Sequence, residues 1–446
     1  MTSPREVRSE TPVATALSSV SPNQRRSPFV AIEANGENLT TSTPITLPAV
    51  DPAERETILR VMSAAAFLIF FQSYLVAPLI PALARELRAT EQLVGLLVPA
   101  YLLPYGISTL FYGPLSDRIG RRPILLLLLA MLAIATAGTA TARSIGQLIA
   151  WRIVGGVASG GIIPIALALF GDLFPYEQRG RPLGWIFGAV AGGSAFGSTL
   201  GAILYRSVGW RAEFVAVALA GAAVFLIAFR HRMLLNGRKT DHPLGVKQIV
   251  RTYLDLLGDP RGGRTYAWIF LNGVFHSGVF AWLGVYFSKR FGLGEVGIGL
   301  ALLGYGIPGL CLGPMIGHIA DRVGRRAIIP VGMCLAAFCA FALAPHLPLA
   351  LAAIAVTLLS LGFDMSHPLL AGIITSLDPK RRGAAMGINA FVLFMGFGLG
   401  SLIFQGLLRF GFTPALLSFA SGQLVLGLLA FKVFRSESAD EASGRH

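Results

Sequence analysis

Gly113-Pro114-Leu115-Ser116-Asp117-Arg118-Ile119-Gly120-Arg121-Arg122 decides how the chain reads, because most of it returns 204 residues later. The second copy is Gly317-His318-Ile319-Ala320-Asp321-Arg322-Val323-Gly324-Arg325-Arg326. Both stand between long uncharged apolar runs, so they read as short charged hinges between membrane-crossing segments in two halves of a duplicated chain. The glycines let a helix end and turn within a few residues, and the arginines hold the loop at an aqueous, anionic surface. The aspartate can accept charge-assisted hydrogen bonds from those arginines or sit at the positive end of a neighbouring helix. Topology anchoring alone would need arginine, but not aspartate at a fixed place in both copies.

The rest of the composition agrees with a membrane setting. Hydrophobic residues make up 54% of the chain and charged residues only 13%, with a mean hydropathy of +0.65. A soluble surface cannot be built from that mixture. The formal net charge of +14 lies mostly in loops, so it reports orientation in a lipid bilayer and not nucleic-acid binding.

Uncharged stretches lie between Arg60 and Arg85, Glu91 and Asp117, Arg122 and Arg143, Arg152 and Asp172, Arg181 and Arg206, and Glu213 and Arg230. A second set lies between Arg264 and Lys289, Glu295 and Asp321, Arg326 and Asp364, Arg382 and Arg409, and Arg409 and Lys432. A spanning helix takes roughly 20 residues, and the stretch from Arg326 to Asp364 breaks at Pro345-His346-Leu347-Pro348. The expected fold is therefore all-α and polytopic, with twelve transmembrane helices in two pseudo-symmetric six-helix bundles. Two further matches keep the register. Arg179-Gly180 with Gly184 pairs with Arg382-Gly383 with Gly387 at an offset of 203, and Gly209-Trp210 pairs with Gly411-Phe412 at 202.

The expected organisation is a disordered tail over 1–55, a first bundle over 56–230, a linker over 231–264, a second bundle over 265–435 and a tail over 436–446. The first segment is rich in Ser, Thr, Pro and Glu and has neither a signal-peptide nor a transit-peptide pattern. Asn38-Leu39-Thr40 fits a glycosylation acceptor but is given no role. Lys and Arg gather in the loops at 117–122, 176–181, 230–264, 321–326 and 380–382, which predicts both termini in the cytoplasm. Within the linker, Val246 to Leu257 predicts an amphipathic helix on the inner leaflet, with Val246, Ile249, Val250, Tyr253, Leu254 and Leu257 on one side.

The doubled loop resembles the signature loop of the major facilitator superfamily, found between helices 2 and 3 and again between helices 8 and 9. The resemblance covers roughly residues 56–435. It implies that Asp117, Arg118 and Arg122, with Asp321 and Arg325 as counterparts, lock the cytoplasmic side when a transporter faces outward. The remaining motif positions are Gly113, Gly120, Arg121, Gly317, Arg322, Gly324 and Arg326. A ridge at Gly184, Gly188, Gly192, Gly193, Gly197 and Gly201 permits close helix packing. It also resembles the fifth-helix motif of the drug:proton antiporter branch, with Ser198 where that motif has proline and Ala202 where it has a second glycine. The overall likeness is to bacterial efflux permeases of the arabinose-efflux and multidrug type.

Ionisable groups inside the membrane are costly and are functional candidates. Arg152, in Trp151-Arg152-Ile153-Val154-Gly155-Gly156, resembles the arginine of the family's fourth helix, with Gly155 in place of the usual glutamine. Its guanidinium can hold an anion or tune a nearby acid, or else snorkel to the headgroups. Asp364 and His367 are three apart and share a helical face beside Pro368, which suits loading and release of a proton, or a structural pair. Asn272 and His276 share another face. The resemblance implies that helices 1, 4, 7 and 10 line one cavity, bringing together Gln72, Tyr74, Arg152, Asn272, His276, Asp364 and His367. Asp172 and Glu213 lie at helix ends and read as structural.

Cys311, Cys334 and Cys339 sit inside predicted helices with no metal-binding spacing, and the sequence contains neither a nucleophile elbow nor a phosphate-binding lysine loop. The expectation is a carrier and not an enzyme, monomeric, with no cofactor, no metal and no nucleic acid, drawing on a proton gradient. It would export small-molecule substrates across the inner or plasma membrane by alternating access. A proton-coupled uptake symporter and a non-transporting sensor or assembly factor on the same fold are the alternatives.

Overall fold

The computed structural model describes residues 51–174, 178–235, 245–378 and 381–437. The expected tail over 1–55 therefore falls outside the described residues up to position 50, and the end of the chain does so from 438. The side chains of Val246, Leu310, Pro314 and Asp321 also lie outside them.

Among the described residues ten helices are long and apolar enough to cross a membrane; one of them is a double span, and a shorter apolar helix brings the set to twelve. They are α1 (Pro52–Glu86), α2 (Pro99–Ile119, preceded by a short turn of helix from Glu91), α3 (Arg121–Thr141) and α4 (Ile145–Leu173). The continuous helix Gly180–Arg230 is two spans broken at Gly209, giving α5 (180–208) and α6 (210–230). The second half follows with α7 (Pro260–Phe291), α8 (Ile307–Val323), α9 (Arg325–Leu343), α10 (Leu349–Thr375), α11 (Arg382–Leu407) and α12 (Phe412–Val433). A linker helix, Val246–Gly258, precedes α7. No strand occurs among the described residues.

The repeat is visible in the backbone. Gly120 (φ 109°) separates α2 from α3 and Gly324 (φ 90°) separates α8 from α9, so the second glycine of each charged loop holds a conformation closed to residues with a Cβ. Gly209 (φ 76°) and Gly411 (φ 101°) make the matching breaks before α6 and α12.

Small residues set the packing inside each half. A Cβ on Gly193 or Gly197 would collide with the carbonyl oxygens of Phe67 and Phe71, and one on Gly201 with Leu75, so α5 lies directly on α1. Gly192 touches Phe67 more loosely, and Gly188 faces open space. The ridge therefore works as a packing surface over its second half only.

Contacts joining the two halves gather at the end opposite the charged loops. There Gly284 on α7 meets Pro78 on α1, Gly299 meets Thr199 on α5, and Gly95 meets Trp282. Two ion pairs cross the same end, Arg85 with Glu295 and Lys289 with Glu91. Their side chains are partly exposed, so each contributes about 0–1 kcal/mol and serves mainly to set register. Near mid-height α2 stays against α11, with Gly106 beside Phe391 and Phe394 and Gly398 beside Leu103. Towards the charged loops Gly184 on α5, Gly317 on α8 and Gly387 on α11 all face open space. The far end is closed in this structure.

Candidate functional site

The sequence candidates resolve into three groups. The first belongs to α1, α2 and α4. Arg152 is 2% exposed, its Nη1 donating to the Gln72 carbonyl at 3.0 Å and its Nε to the Leu97 carbonyl at 3.3 Å. An irregular turn over residues 96–98, between Gly95 and Pro99, takes the Leu97 carbonyl out of a continuous helical ladder. The guanidinium carbon lies 4.2 Å from the Tyr101 ring centroid, and Nη2 has no partner. Arg152 is therefore not snorkelling; it is a buried cation held by two carbonyl dipoles and a π face, with no carboxylate paired to it among the described residues. Gln72 turns its Oε1 to the Thr136 hydroxyl at 2.9 Å, and the Tyr101 hydroxyl sits 2.6 Å from that of Ser159.

The second group lies inside the second bundle. Asn272 donates to Ser366 at 3.0 Å and accepts from the Gln423 amide at 2.8 Å, all three being buried between α7, α10 and α12. The structure thus turns Asn272 away from the other candidates. Gln423 had no sequence signal beyond being polar in an apolar run.

The third group sits between the halves. His276, one turn beyond Asn272, bonds through Nε2 to the Tyr305 hydroxyl and stacks on Phe363 with centroids 3.7 Å apart. Phe363 in turn stacks on His367 at 5.2 Å. Tyr74 and Tyr305 flank Phe280 at 5.0 and 4.3 Å. A cavity of about 20 Å³, room for roughly one water, opens among Tyr74, Val98, Leu102, His276, Phe280 and Phe397. The Nδ1 atoms of His276 and His367 have no partner.

Asp364 borders this third group. It is half-buried on α10, its Oδ2 accepting from the Ser360 hydroxyl at 3.3 Å, while Ser360 accepts from the Gly306 N–H at 3.0 Å. The backbone of Gly309 also bonds to it, and a Cβ at Gly309 would come within 2.8 Å of its Cγ. Tyr74 and Tyr305 both feel its charge. No Lys or Arg pairs with it among the described residues. Arg152 and Asp364 thus occupy different groups, each ion without a counter-ion.

Three residues that sequence reading missed, Tyr101, Tyr305 and Ser360, complete these groups. One signal was available: Tyr101 and Tyr305 are 204 residues apart, as are Gln72 and His276, the spacing of the charged loops.

Of the loop residues, Arg121 pairs with Asp172 and donates to the Ala168 carbonyl at 2.7 Å, both on α4. Asp117 is half-buried within the field of that pair, Arg118 is exposed, and Arg122 reaches Met233 Sδ at 3.6 Å. These bonds stay within the first half and the start of the linker. The resemblance assigns the lock between halves to the opposite arrangement, with the loop end closed. In the second loop Arg325 lies against Gly372 of α10, Arg322 and Arg326 are exposed, and the Asp321 side chain is outside the described residues.

The sequence profile of the Major Facilitator Superfamily matches residues 62–401 and 291–445. The chain belongs to that superfamily. It is 25% identical over 386 residues to the MFS-type transporter YceJ of Bacillus subtilis, covering 85% of this chain and 96% of that protein. It is 32% identical to Multidrug resistance protein 3 of the same organism over 196 residues, covering 43% of this chain and 38% of that one. Among solved structures, the human organic anion transporter MFSD10 superposes with a TM-score of 0.66 at 20% identity, over 85% of this chain and all of that one. The D-xylose-proton symporter gives 0.67 at 17% identity, over 85% and 98%. The protein is thus a multi-pass membrane transporter of the twelve-helix fold and not an enzyme.

Proposed function

We propose that this transporter exports small organic molecules in exchange for protons, with Asp364 as the group that loads and releases the proton. The observation that carries the proposal is Asp364 itself: a half-buried carboxylate with no Lys or Arg partner among the described residues, held by Ser360 and Gly309 and near enough to Tyr74 and Tyr305 for its charge to act on both. A carboxylate so placed can be neutralised only by a proton or by a bound cation, so the two compete for it. Tyr74, with Phe280 and Phe397 of the same cavity, offers flat apolar faces of the kind that suit hydrophobic bodies. The likeness of part of the chain to proteins named as multidrug transporters supports export as the direction. The loop end faces the cytoplasm by the distribution of Lys and Arg, so the arrangement closed at the far end is the one that takes up substrate from inside.

The test uses everted membrane vesicles acidified inside by respiration, with a pH-sensitive dye and a panel of drugs, sugars and organic acids. Some compound should release lumenal protons with the parent protein and not with Asp364→Asn, which still inserts. Equal release from both would remove Asp364 from the mechanism, and release from neither, with proton-driven accumulation of the same compound in whole cells, would make this an importer.

A further inference from the structure

The linker helix is anchored firmly to the second half. Leu256 is buried in a cluster with Tyr266 and Ile269 of α7, and Arg381 reaches Asp255 at 3.3 Å. The backbone carbonyls of Leu256 and Leu257 lie so close to α7 that a Cβ on Gly262 or Gly263 would strike them. The apolar side expected from the sequence is split. Tyr253 and Leu256 turn to the protein, while Val250, Leu254 and Leu257 are exposed.

From this anchored helix the Tyr253 hydroxyl crosses to the first half and donates to the Leu110 carbonyl of α2 at 2.9 Å. That acceptor has a covalent origin. In a helix the carbonyl of Leu110 should accept from the N–H of residue 114, and residue 114 is proline, inside α2, with no N–H to give. Tyr253 therefore fills a vacancy that Pro114 creates. The second copy of the loop has His318 at the place that matches Pro114. Burial pushes the Tyr253 phenol up from its ordinary range, so the hydroxyl keeps the proton it donates.

We propose that Tyr253 is a positioning residue for alternating access, a clasp from the linker helix to the proline-freed carbonyl of α2 that favours the arrangement with the far end closed. The helix moves with the second half and Leu110 with the first, so rocking one bundle on the other must lengthen or re-aim this bond. A partly buried neutral hydrogen bond of this kind shifts a two-state balance by about two- to tenfold. That is large enough to tune a transport cycle and small enough to be broken in each turn of it.

The experiment uses the full-length protein in lipid nanodiscs, with Cys311, Cys334 and Cys339 replaced by serine. Spin labels go at Gly184→Cys and Gly387→Cys, where an added side chain meets nothing. Electron spin distance measurements then give the ratio of the two arrangements. Tyr253→Phe should lower the ratio of the far-end-closed arrangement to the other by about two- to tenfold with an unchanged melting temperature. Pro114→Ala restores the N–H at residue 114, so in that background the same Tyr253→Phe change should have less than half its effect. The proposal is overturned if Tyr253→Phe leaves the ratio alone, or shifts it equally in both backgrounds.

Discussion

The two halves answer one requirement with different parts. Each charged loop needs a carboxylate to hold its surroundings, and in the first half Asp172 supplies it to Arg121 from the end of α4. The matching residue 204 positions on, just past the end of α10, is Ser376. In the second half Glu437, beyond α12, folds back instead. It takes two 2.7 Å bonds from Arg261 and one of 3.4 Å from Arg264, and its backbone carbonyl accepts from the Arg326 N–H. The inner groups diverge in the same manner. Tyr101 and Tyr305 keep matching places, but the first stands by a buried cation and the second by a histidine and a carboxylate. Duplication preserved the helices and their breaks, while the charges were redistributed between the halves.

Arg152 offers the strongest way to break that comparison. A buried guanidinium without a counter-ion costs several kcal/mol to desolvate, so a residue kept only for the fold would be a poor choice. Arg152→Gln should lower transport at least tenfold while leaving insertion and melting temperature equal to the parent or higher. Counterflow in proteoliposomes and a thermal melt check this together. Transport unchanged beside a lower melting temperature would make Arg152 structural and the two halves functionally unequal.

Tyr101 and Tyr305 sharpen the comparison at matched positions. Removing one buried hydroxyl whose partner stays behind costs about 1–3 kcal/mol at the site concerned. If the second half carries proton coupling, Tyr305→Phe should reduce proton-driven export about five- to fiftyfold and flatten its dependence on pH. Tyr101→Phe, which leaves Ser159 bonded to the Gly155 carbonyl, should cost no more than about threefold. Equal losses would mean that the shared register, and not the neighbouring charge, sets the role.

These differences explain what could be read in advance. Apolar runs about 20 residues long, charged loops and positive-φ glycines are local signals, and they repeat, so the twelve helices and the doubled architecture were legible. Which face of an apolar helix looks inward was not. In α7 both Asn272 and His276 lie on one side by spacing, yet the structure sends Asn272 to Gln423 within the bundle and His276 to Tyr305 between the halves. A helix that is apolar all round gives no stripe to orient it. Partners distant in sequence, such as Glu437 for Arg261, leave no periodic trace at all.

The smallest expected effect tests the replacement of Asp172 by Glu437. Burial alone would raise the Glu437 carboxyl, but the hydrogen bonds and charge of Arg261, with Arg264 and Arg325 beyond, hold it below the ordinary carboxylate range. A group held low in the folded protein contributes its full stability above the unfolded value of about 4.3 and loses it as pH falls through the folded value. Because Arg261 is partly exposed, solvent screens the pair, and Glu437→Gln should cost about 1 kcal/mol at pH 7. Protonated glutamate and glutamine are nearly alike, so the gap between the two proteins should begin to close as pH falls past about 4.3 and shrink further towards the folded value. Melting temperatures in detergent from pH 8 to pH 3.5 read this directly. A gap that stays constant over that range would mean that Glu437 acts through its shape and backbone, and that the second loop needs no carboxylate where the first depends on one.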